Sequence, residues 1–435
     1  MVEATLSLWR QARSCQPELE SRFKPTEQAT REICLERFIA VVESELSHSP
    51  ATPDSRQRAQ RRITSAFREF AKGGLGFDDT HLELLLEKGF CRIATQLARE
   101  ARHIDSRITA ADIFQASRNA WTACALQVLF GQPMHLSPAI FAYSMLYPYS
   151  DNYLDDPAIQ QSSKQAFSDR FRHRLQGRVV APIGDREAII WRLVELIEQQ
   201  YPRAHWPHVY TSLLNIHRAQ ENSICKLRAD SALSQVDVLR FSFEKGGASV
   251  LADAWLAAGS LSQEEARIAF GWGVLLQLID DLQDIQQDLR QGNLTIYTQS
   301  RFESEPSACT YLDEITTQTL NFAGRIVRQL DRVDHGRSTT NGGSNTTPLK
   351  QMMRMSSSLL PIWSAGHSAS FYSTMYLAML ESHSPFRLKL LTKLRNRLVA
   401  CADPLNRMFE NCLDRGGEED GTASLILANC FAFQS

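Results

Sequence analysis

The chain has 435 residues, 43% of them hydrophobic, and a formal net charge of −2. That length is enough for a large core, and the near-neutral balance excludes a nucleic-acid partner held by bulk positive charge. No apolar run approaches the ~18 residues of a membrane span, and the N-terminus MVEATLSLWRQARSCQPELE lacks a signal-peptide core, so a cytoplasmic protein with no transmembrane segment is expected.

The nine cysteines are scattered and form no C-x-x-C pair, which argues against a zinc site or a disulfide framework. Nearly every segment carries helical periodicity, and strand-type alternation is hard to find, so an all-α fold is predicted. Residues 27–47 place Ile33, Phe38, Val41, Val42 and Leu46 on one helix face. Residues 50–62, PATPDSRQRAQRR, read either as a surface loop or as a helix start capped by Asp54. The stretch AKGGLGF, with Gly73, Gly74 and Gly76, reads as a loop. No strand precedes it and its spacing fits no phosphate-binding fingerprint. Helices are expected over 80–101 and 109–130.

Ser137-Pro138 opens the next helix, with Ser as cap and Pro in the first turn. Pro148 should kink or restart it, and Pro157 should push Asp156 out of helical geometry. An aromatic-rich apolar run thus ends in Asp151, Asp155 and Asp156, of which Asp151 and Asp155 share a face. SDRFRHRLQGR follows as a basic loop. Helices over 185–200 and 205–230 come next, the second carrying His217, Arg218, Glu221 and Asn222. A lone histidine so placed reads as a packing residue. Lys245 is then followed by Gly246-Gly247 inside a helical pattern. A glycine pair there costs ~2 kcal/mol against alanine and implies a break or a close approach.

The segment from Phe270 to Thr298, FGWGVLLQLIDDLQDIQQDLRQGNLTIYT, dominates the chain. An apolar helix delivers Asp280, Asp281, Asp284 and Asp288 without a break in pattern. Asp280, Asp284 and Asp288 form one stripe, Gln277 lies one turn earlier, and Gly292 marks the stop. Like charges at this spacing cost about 0.2–0.5 kcal/mol per pair, and carboxylates at a helix C-terminus oppose the macrodipole by roughly 0.3–1 kcal/mol each. A divalent cation offsets both, and Mg²⁺ typically binds through one or two carboxylates plus substrate phosphates. Beyond this stretch lie a helix over 310–334, a Ser/Thr/Asn/Gly-rich flexible loop at 335–347, and one long helix from Pro348 to about Leu380. Its Met352, Met353, Met355, Trp363, Met375 and Tyr376 read as core or as a cavity wall. Short helices over 385–400 and 404–415 and a DRGGEEDG link close the chain.

Two apolar helices ending in carboxylates, facing across a bundle cavity, would suit loss of diphosphate from an allylic isoprenoid. The residues also resemble a known family, the class I isoprenoid synthase superfamily, over 110–300 and most strongly over 241–298. FSFEKGGASVLADAWLAAG followed by GVLLQLIDDLQD resembles the lysine segment and second aspartate-rich motif of trans-prenyl diphosphate synthases. QLIDDLQDIQQDLRQG is similar to the second motif of squalene and phytoene synthases. The spacing of Asp280, Asp284 and Asp288 is also similar to the second motif of bacterial terpene synthases, whose first motif, D-Y-L-D-N, resembles Asn152-Tyr153-Leu154-Asp155-Asp156. Here the first motif is D-x-x-x-D-D, with Asn152 where that family has Asp. Asn293 stands where chain-elongating enzymes have Lys, and no N-terminal segment for isopentenyl diphosphate is recognisable.

The resemblance implies a class I terpenoid synthase-like helical bundle around a central apolar cavity, with an N-terminal helical segment (1–108) packing on a catalytic bundle (109–435). It implies a terpene synthase that ionises an allylic prenyl diphosphate, cyclises or rearranges the cation and releases diphosphate. Three Mg²⁺ ions, replaceable by Mn²⁺, would be held chiefly by Asp151, Asp155, Asp280 and Asp284, with Asp156, Asp281 and Asp288 in support. Arg218, Lys245, Gln277 and Arg290 would bind or orient the diphosphate, and a homodimer is compatible. Head-to-head coupling, chain elongation and a non-catalytic partner subunit are the rival expectations.

Overall fold

The computed structural model describes residues 1–14, 16–19, 21–47, 52–87, 89–156, 158–227, 233–299, 308–332, 346–401 and 404. In chain order its α-helices are α1 (Val2–Gln11), α2 (Pro25–Ser47), α3 (Pro53–Phe70), α4 (Asp79–Leu82), α5 (Phe90–Ile104), α6 (Ala110–Leu129), α7 (Pro138–Leu146), α8 (Asn152–Asp155) and α9 (Gln161–Leu175). They continue as α10 (Gly184–Gln200), α11 (Pro207–Lys226), α12 (Gln235–Ala258), α13 (Gln263–Gln283), α14 (Ile285–Gln291), α15 (Ala308–Leu330), α16 (Thr347–His367), α17 (Thr374–Glu381) and α18 (Leu388–Ala400). Among the described residues there is no extended strand, so the fold is all-α as expected, and no helix is long and apolar enough to cross a membrane. The chain divides into two compact units. The first comprises Met1–Glu18, Thr122–Thr346 and Met353–Pro361, and the second Leu19–Trp121, Thr347–Met352 and Ile362–Ser435.

In the first unit α12 packs against α1, α7, α11 and α13. The Gly246-Gly247 pair does not break α12. It lets α13 come into backbone contact, since a Cβ on Gly246 would lie 2.6 Å from the Gly273 carbonyl oxygen and one on Gly247 2.4 Å from the Phe270 ring. Trp9 of α1, Phe243 of α12 and Phe322 of α15 form an aromatic core with centroids 5.6–6.0 Å apart. Such contacts add about 0.5–1.5 kcal/mol beyond area burial. Gln318 and Asn321 of α15 donate side-chain hydrogen bonds to the carbonyls of Trp9 and Ala12 and so fasten the N-terminal helix.

The second unit is built on α2 and α3, where Phe38 stacks on Phe70, Phe67 meets both edge-to-face, and Phe70 meets Phe386. Glu32, buried on α2, takes hydrogen bonds from the Arg387 backbone N–H at 2.8 Å and from its guanidinium at 2.9 Å. Gln28 donates to the carbonyls of Glu381 and Ser384, each at 2.9 Å.

Several local expectations are corrected. Residues 53–70 are helical, and the cap is Thr52, which closes a capping box with Ser55, rather than Asp54. AKGGL is a π-helical turn, not a loop. The glycines keep it helical against close neighbours, Cys34 Sγ at 2.7 Å from a Cβ on Gly73 and the Phe70 ring at 2.8 Å from one on Gly74, before Gly76 ends it at φ 78°. The helix expected over 80–101 is broken, because Asp78 caps a single turn that widens into a π-helical segment at Glu83–Glu87 before α5 begins.

SDRFRHRLQGR is not a loop either. Phe167, Phe171 and Leu175 are buried one turn apart on α9, and carboxylates answer its arginines: Arg170–Glu187 at 2.7 Å, Arg172–Glu221 at 2.8 Å and Arg174–Glu198 at 2.7 Å. The helix expected over 348–380 splits after His367 and restarts where Ser373 caps α17. On it Met353 is buried, whereas Met375 is 83% exposed. The flexible loop expected at 335–347 lies outside the described residues apart from Thr346 and Thr347, and so does the closing segment beyond residue 404.

Candidate functional site

The first acidic arm is set by α7 and the turn after it. Ser137 caps α7, its Oγ accepting from Ile140 N at 3.3 Å. Pro148 cannot continue the α-helical ladder. The chain answers with a π-helical turn, Tyr147–Asp151, closed by Asn152 N–H to the Tyr147 carbonyl. Asp156 then turns to extended backbone, ψ 114°, as Pro157 demands. Asp151 is half-buried and accepts from Ser150 Oγ at 2.9 Å, while Asp155 reaches solvent and Asp156 accepts from Ala158 N at 2.8 Å.

The second arm is the end of α13. Its expected unbroken stripe is interrupted: Asp284, at φ −97° and ψ 11°, ends α13 and starts α14. Asp280 is exposed, Asp284 and Asp288 are half-buried, and Asp281 is the most buried, at 8% exposure. Gln277 Nε2 donates to Asp281 Oδ1 at 2.7 Å, whereas Asp281 Oδ2 is buried with no hydrogen-bond partner. Asn293 donates to Asp288 at 3.0 Å, and Gly292 caps α14 at φ 68°.

Lys245 joins the arms. Half-buried on α12, it exerts its positive field on Asp151 and Asp155 of the first arm and on Asp281 and Asp288 of the second. Lys164 adds its field at Asp155, and the two lysines do not balance that charge. Burial, with Asp155 adding to it, pushes the Asp151 carboxyl up to about 6 against the Ser150 hydrogen bond. Burial and then Asp288 push Asp281 up to about 8 despite Gln277. Burial and Asp280 push Asp288 up to about 6 despite Asn293, and burial raises Asp155. The site is an under-compensated acidic mouth, and carboxylic acids in such crowding share protons or recruit cations. Among the described residues no three carboxylate, imidazole or thiol side chains crowd one point closely enough to enclose a metal ion.

The other residues expected at the diphosphate lie elsewhere. Arg218 is exposed, pairs with Glu244 at 3.1 Å and lines an open groove of about 450 Å³ with Arg172, Glu221 and Asn222. Arg290 is exposed and donates to the Gln286 carbonyl at 3.1 Å.

Next to the first arm lies a cavity of about 40 Å³ whose wall includes Tyr147, Asp151, Phe171, Leu213, His217 and Gln220. A polar column that the sequence reading missed runs alongside. Tyr143 donates to the Ser249 carbonyl at 3.3 Å, and Tyr147 hydrogen-bonds to Ser249 Oγ. Asp253, 1% exposed, adds its field to burial in raising the Tyr143 and Tyr147 phenols. Burial, with Asp253 adding to it, also pushes the Cys124 thiol up to about 12. The signal was legible: Lys245, Ser249 and Asp253 repeat every four residues, one stripe along α12. No family model and no curated protein matches the chain.

Proposed function

We propose that the chain is a Mg²⁺-dependent class I isoprenoid synthase of the terpene-synthase type, ionising an allylic prenyl diphosphate and releasing diphosphate. The observation that carries this reading is the field of Lys245, shared by carboxylates from two separate helix ends, the first of which also lines a partly apolar cavity.

The donor set suits Mg²⁺. All the ligands are hard carboxylate oxygens, and Asp281 Oδ2 is buried without a partner. The wide spacing of the acids is compatible with ions held by one or two carboxylates each and completed by substrate phosphate oxygens. Asp151 and Asp155 would hold metal on one arm and Asp281, Asp284 and Asp288 on the other, with Asp280 at the exposed rim. Bound Mg²⁺ would supply Lewis-acid stabilisation of the negative charge that develops on the leaving diphosphate.

The chain's own residues do the rest. Lys245 offers a point charge to the diphosphate oxygens, and Gln277 fixes the orientation of Asp281. The allylic C–O bond breaks heterolytically and its electron pair leaves with the diphosphate. Phe171 and Tyr147 line the cavity that would receive the cation, and the leucines beside them would exclude water. The cavity must widen to admit a prenyl chain, since ligand pockets run to about 300–1,000 Å³.

Purified protein incubated with Mg²⁺ and geranyl, farnesyl or geranylgeranyl diphosphate, with and without isopentenyl diphosphate, tests the reading. A hydrocarbon or alcohol with stoichiometric diphosphate from one substrate alone is expected. Asp284→Ala and Asp281→Asn should abolish both. A longer diphosphate formed only with isopentenyl diphosphate would replace the reading with elongation. A product of doubled carbon number would replace it with head-to-head coupling. Silence with every substrate, with no binding of a diphosphate analogue and Mg²⁺, would favour a non-catalytic subunit.

A further inference from the structure

His217 is more than a packing residue. It lies on α11, 6% exposed, and its ring forms part of the cavity wall, edge-on to Phe171 at 5.1 Å. Its Nε2 faces the Ser168 carbonyl oxygen at 3.1 Å and Ser168 Oγ at 3.2 Å. The Ser168 hydroxyl has one hydrogen, and it is committed to Glu221 Oε1 at 2.6 Å. Both Ser168 oxygens therefore present lone pairs to Nε2, so Nε2 carries the imidazole hydrogen and Nδ1 carries the lone pair. Nδ1 makes no hydrogen bond to a described residue.

From this geometry we infer that His217 is the proton acceptor of the cavity. It takes at Nδ1 the proton that a carbocation must lose to end as an alkene. This rests on the ionisation chemistry proposed above. The step balances: the C–H bond beside the cationic carbon breaks, its electron pair becomes the new π bond, and the proton moves to Nδ1. The imidazolium then returns its proton to the diphosphate anion as the products leave.

The surroundings favour both halves of the cycle. Burial holds the resting imidazole below its usual pKa, so it is neutral at neutral pH, with the Nδ1 lone pair free to accept a proton. Once protonated it faces Glu221, 3.8 Å from Nε2 and itself held by Arg172 at 2.8 Å. Asp169 of α9 adds a second negative charge, and Arg172 opposes both. Tyr147 is a poorer acceptor, because its phenol is engaged with Ser249. Glu221 is a positioning residue here, acting through the imidazole.

Nitrogen-15 spectra of histidine-labelled wild-type protein read the tautomer directly. The signal can be assigned with H217Q or, if that variant does not fold, with S168A, which perturbs the same ring. A neutral ring with its hydrogen on Nε2 is expected at pH 7. An Nδ1–H tautomer, or an imidazolium at pH 7, would overturn the inference and leave the synthase reading intact. In product analysis normalised to diphosphate released, H217Q should lower the main wild-type alkene at least ~100-fold, the lower edge for a lost general base. Earlier-quenched alkenes or alcohols should replace it. In E221Q the pH below which that alkene declines should move downward, a shift that a purely structural role would not produce. An unchanged product pattern in H217Q overturns the acceptor role alone. Absence of diphosphate release by wild-type protein from every prenyl diphosphate overturns the synthase reading and the acceptor role with it.

Discussion

Replacing Gly273 by alanine tests how the site is held together. A Cβ at this position of α13 would lie 2.2 Å from the Gly246 carbonyl oxygen and 2.9 Å from Val250 Cβ. The closest contact is to backbone, which has no rotamer to escape into, so α12 and α13 must separate by about 1 Å to restore ordinary van der Waals spacing. Overpacking of this kind costs up to about 3 kcal/mol. Alanine returns about 1 kcal/mol of helix propensity, leaving a net loss of about 2 kcal/mol. The internal control is Gly324→Ala on α15, whose Cβ would meet no atom closer than Arg328 Nη1 at 3.6 Å. It should be neutral or stabilising by up to about 1 kcal/mol. Urea unfolding, with amide-exchange protection read on α12 and α13, distinguishes them. Equal midpoints and equal protection for the two variants would refute the close-approach account. Because Lys245 adjoins Gly246, the same variant should also weaken diphosphate binding.

Asp281→Asn should raise the unfolding free energy of the metal-free protein by about 0.5–2 kcal/mol, read as a higher unfolding midpoint, as relief of a strained functional site does. A lower midpoint would show that the carboxylate is structurally required. Glu32→Gln removes the buried carboxylate from a largely exposed Arg387 guanidinium, which water can re-solvate, and should cost about 1 kcal/mol in chemical denaturation. A loss under 0.5 kcal/mol would count against that pairing. In wild-type protein the Glu32 carboxyl is held below its usual pKa, with burial opposing the hydrogen bonds and charge of Arg387 that lower it. Its contribution is therefore complete above pH ~4.5 and lost as pH falls through the lower folded value. Glu32→Gln should flatten that part of the acid-unfolding curve. His217 has the same sign for a different reason: burial disfavours its imidazolium in the folded state. Stability should fall as pH drops below ~6.5, and H217Q should remove part of the fall. An unchanged slope would place the cause at other histidines.

The helical class, the stop at Gly292 and the kink at Pro148 were legible because each rests on a local rule of period, φ or missing N–H. The close approach at Gly246 was legible as one of two alternatives, and α13 decided between them. What sequence spacing could not supply was depth. Asp280 and Asp281 are adjacent, yet one is exposed and the other is the most buried acid of the arm, because the face of α13 that meets α12 is set by Gly273. The basic run on α9 looked like a loop because its charges were conspicuous. Its Phe167–Phe171–Leu175 stripe and its carboxylate partners on α10 and α11 were not. His217 was discounted for a similar reason, since the atoms that fix its tautomer belong to Ser168, 49 positions away.

The π-helical turn at Tyr147–Asp151 has a consequence for how this chain can vary. A π turn is an α-helix with one residue too many in a single loop of the ladder. Because the extra residue is absorbed within that loop, the segment beyond keeps its angular register with α7, and Tyr143 and Asp151 fall near one face although eight positions separate them. Losing one residue there would restore ordinary winding and leave that register in place. Re-winding the same residues as α-helix would instead rotate everything beyond by about 100° and turn the acidic arm away from Lys245. The loss of a single codon is therefore a milder change in this segment than a substitution that removes the π turn at constant length.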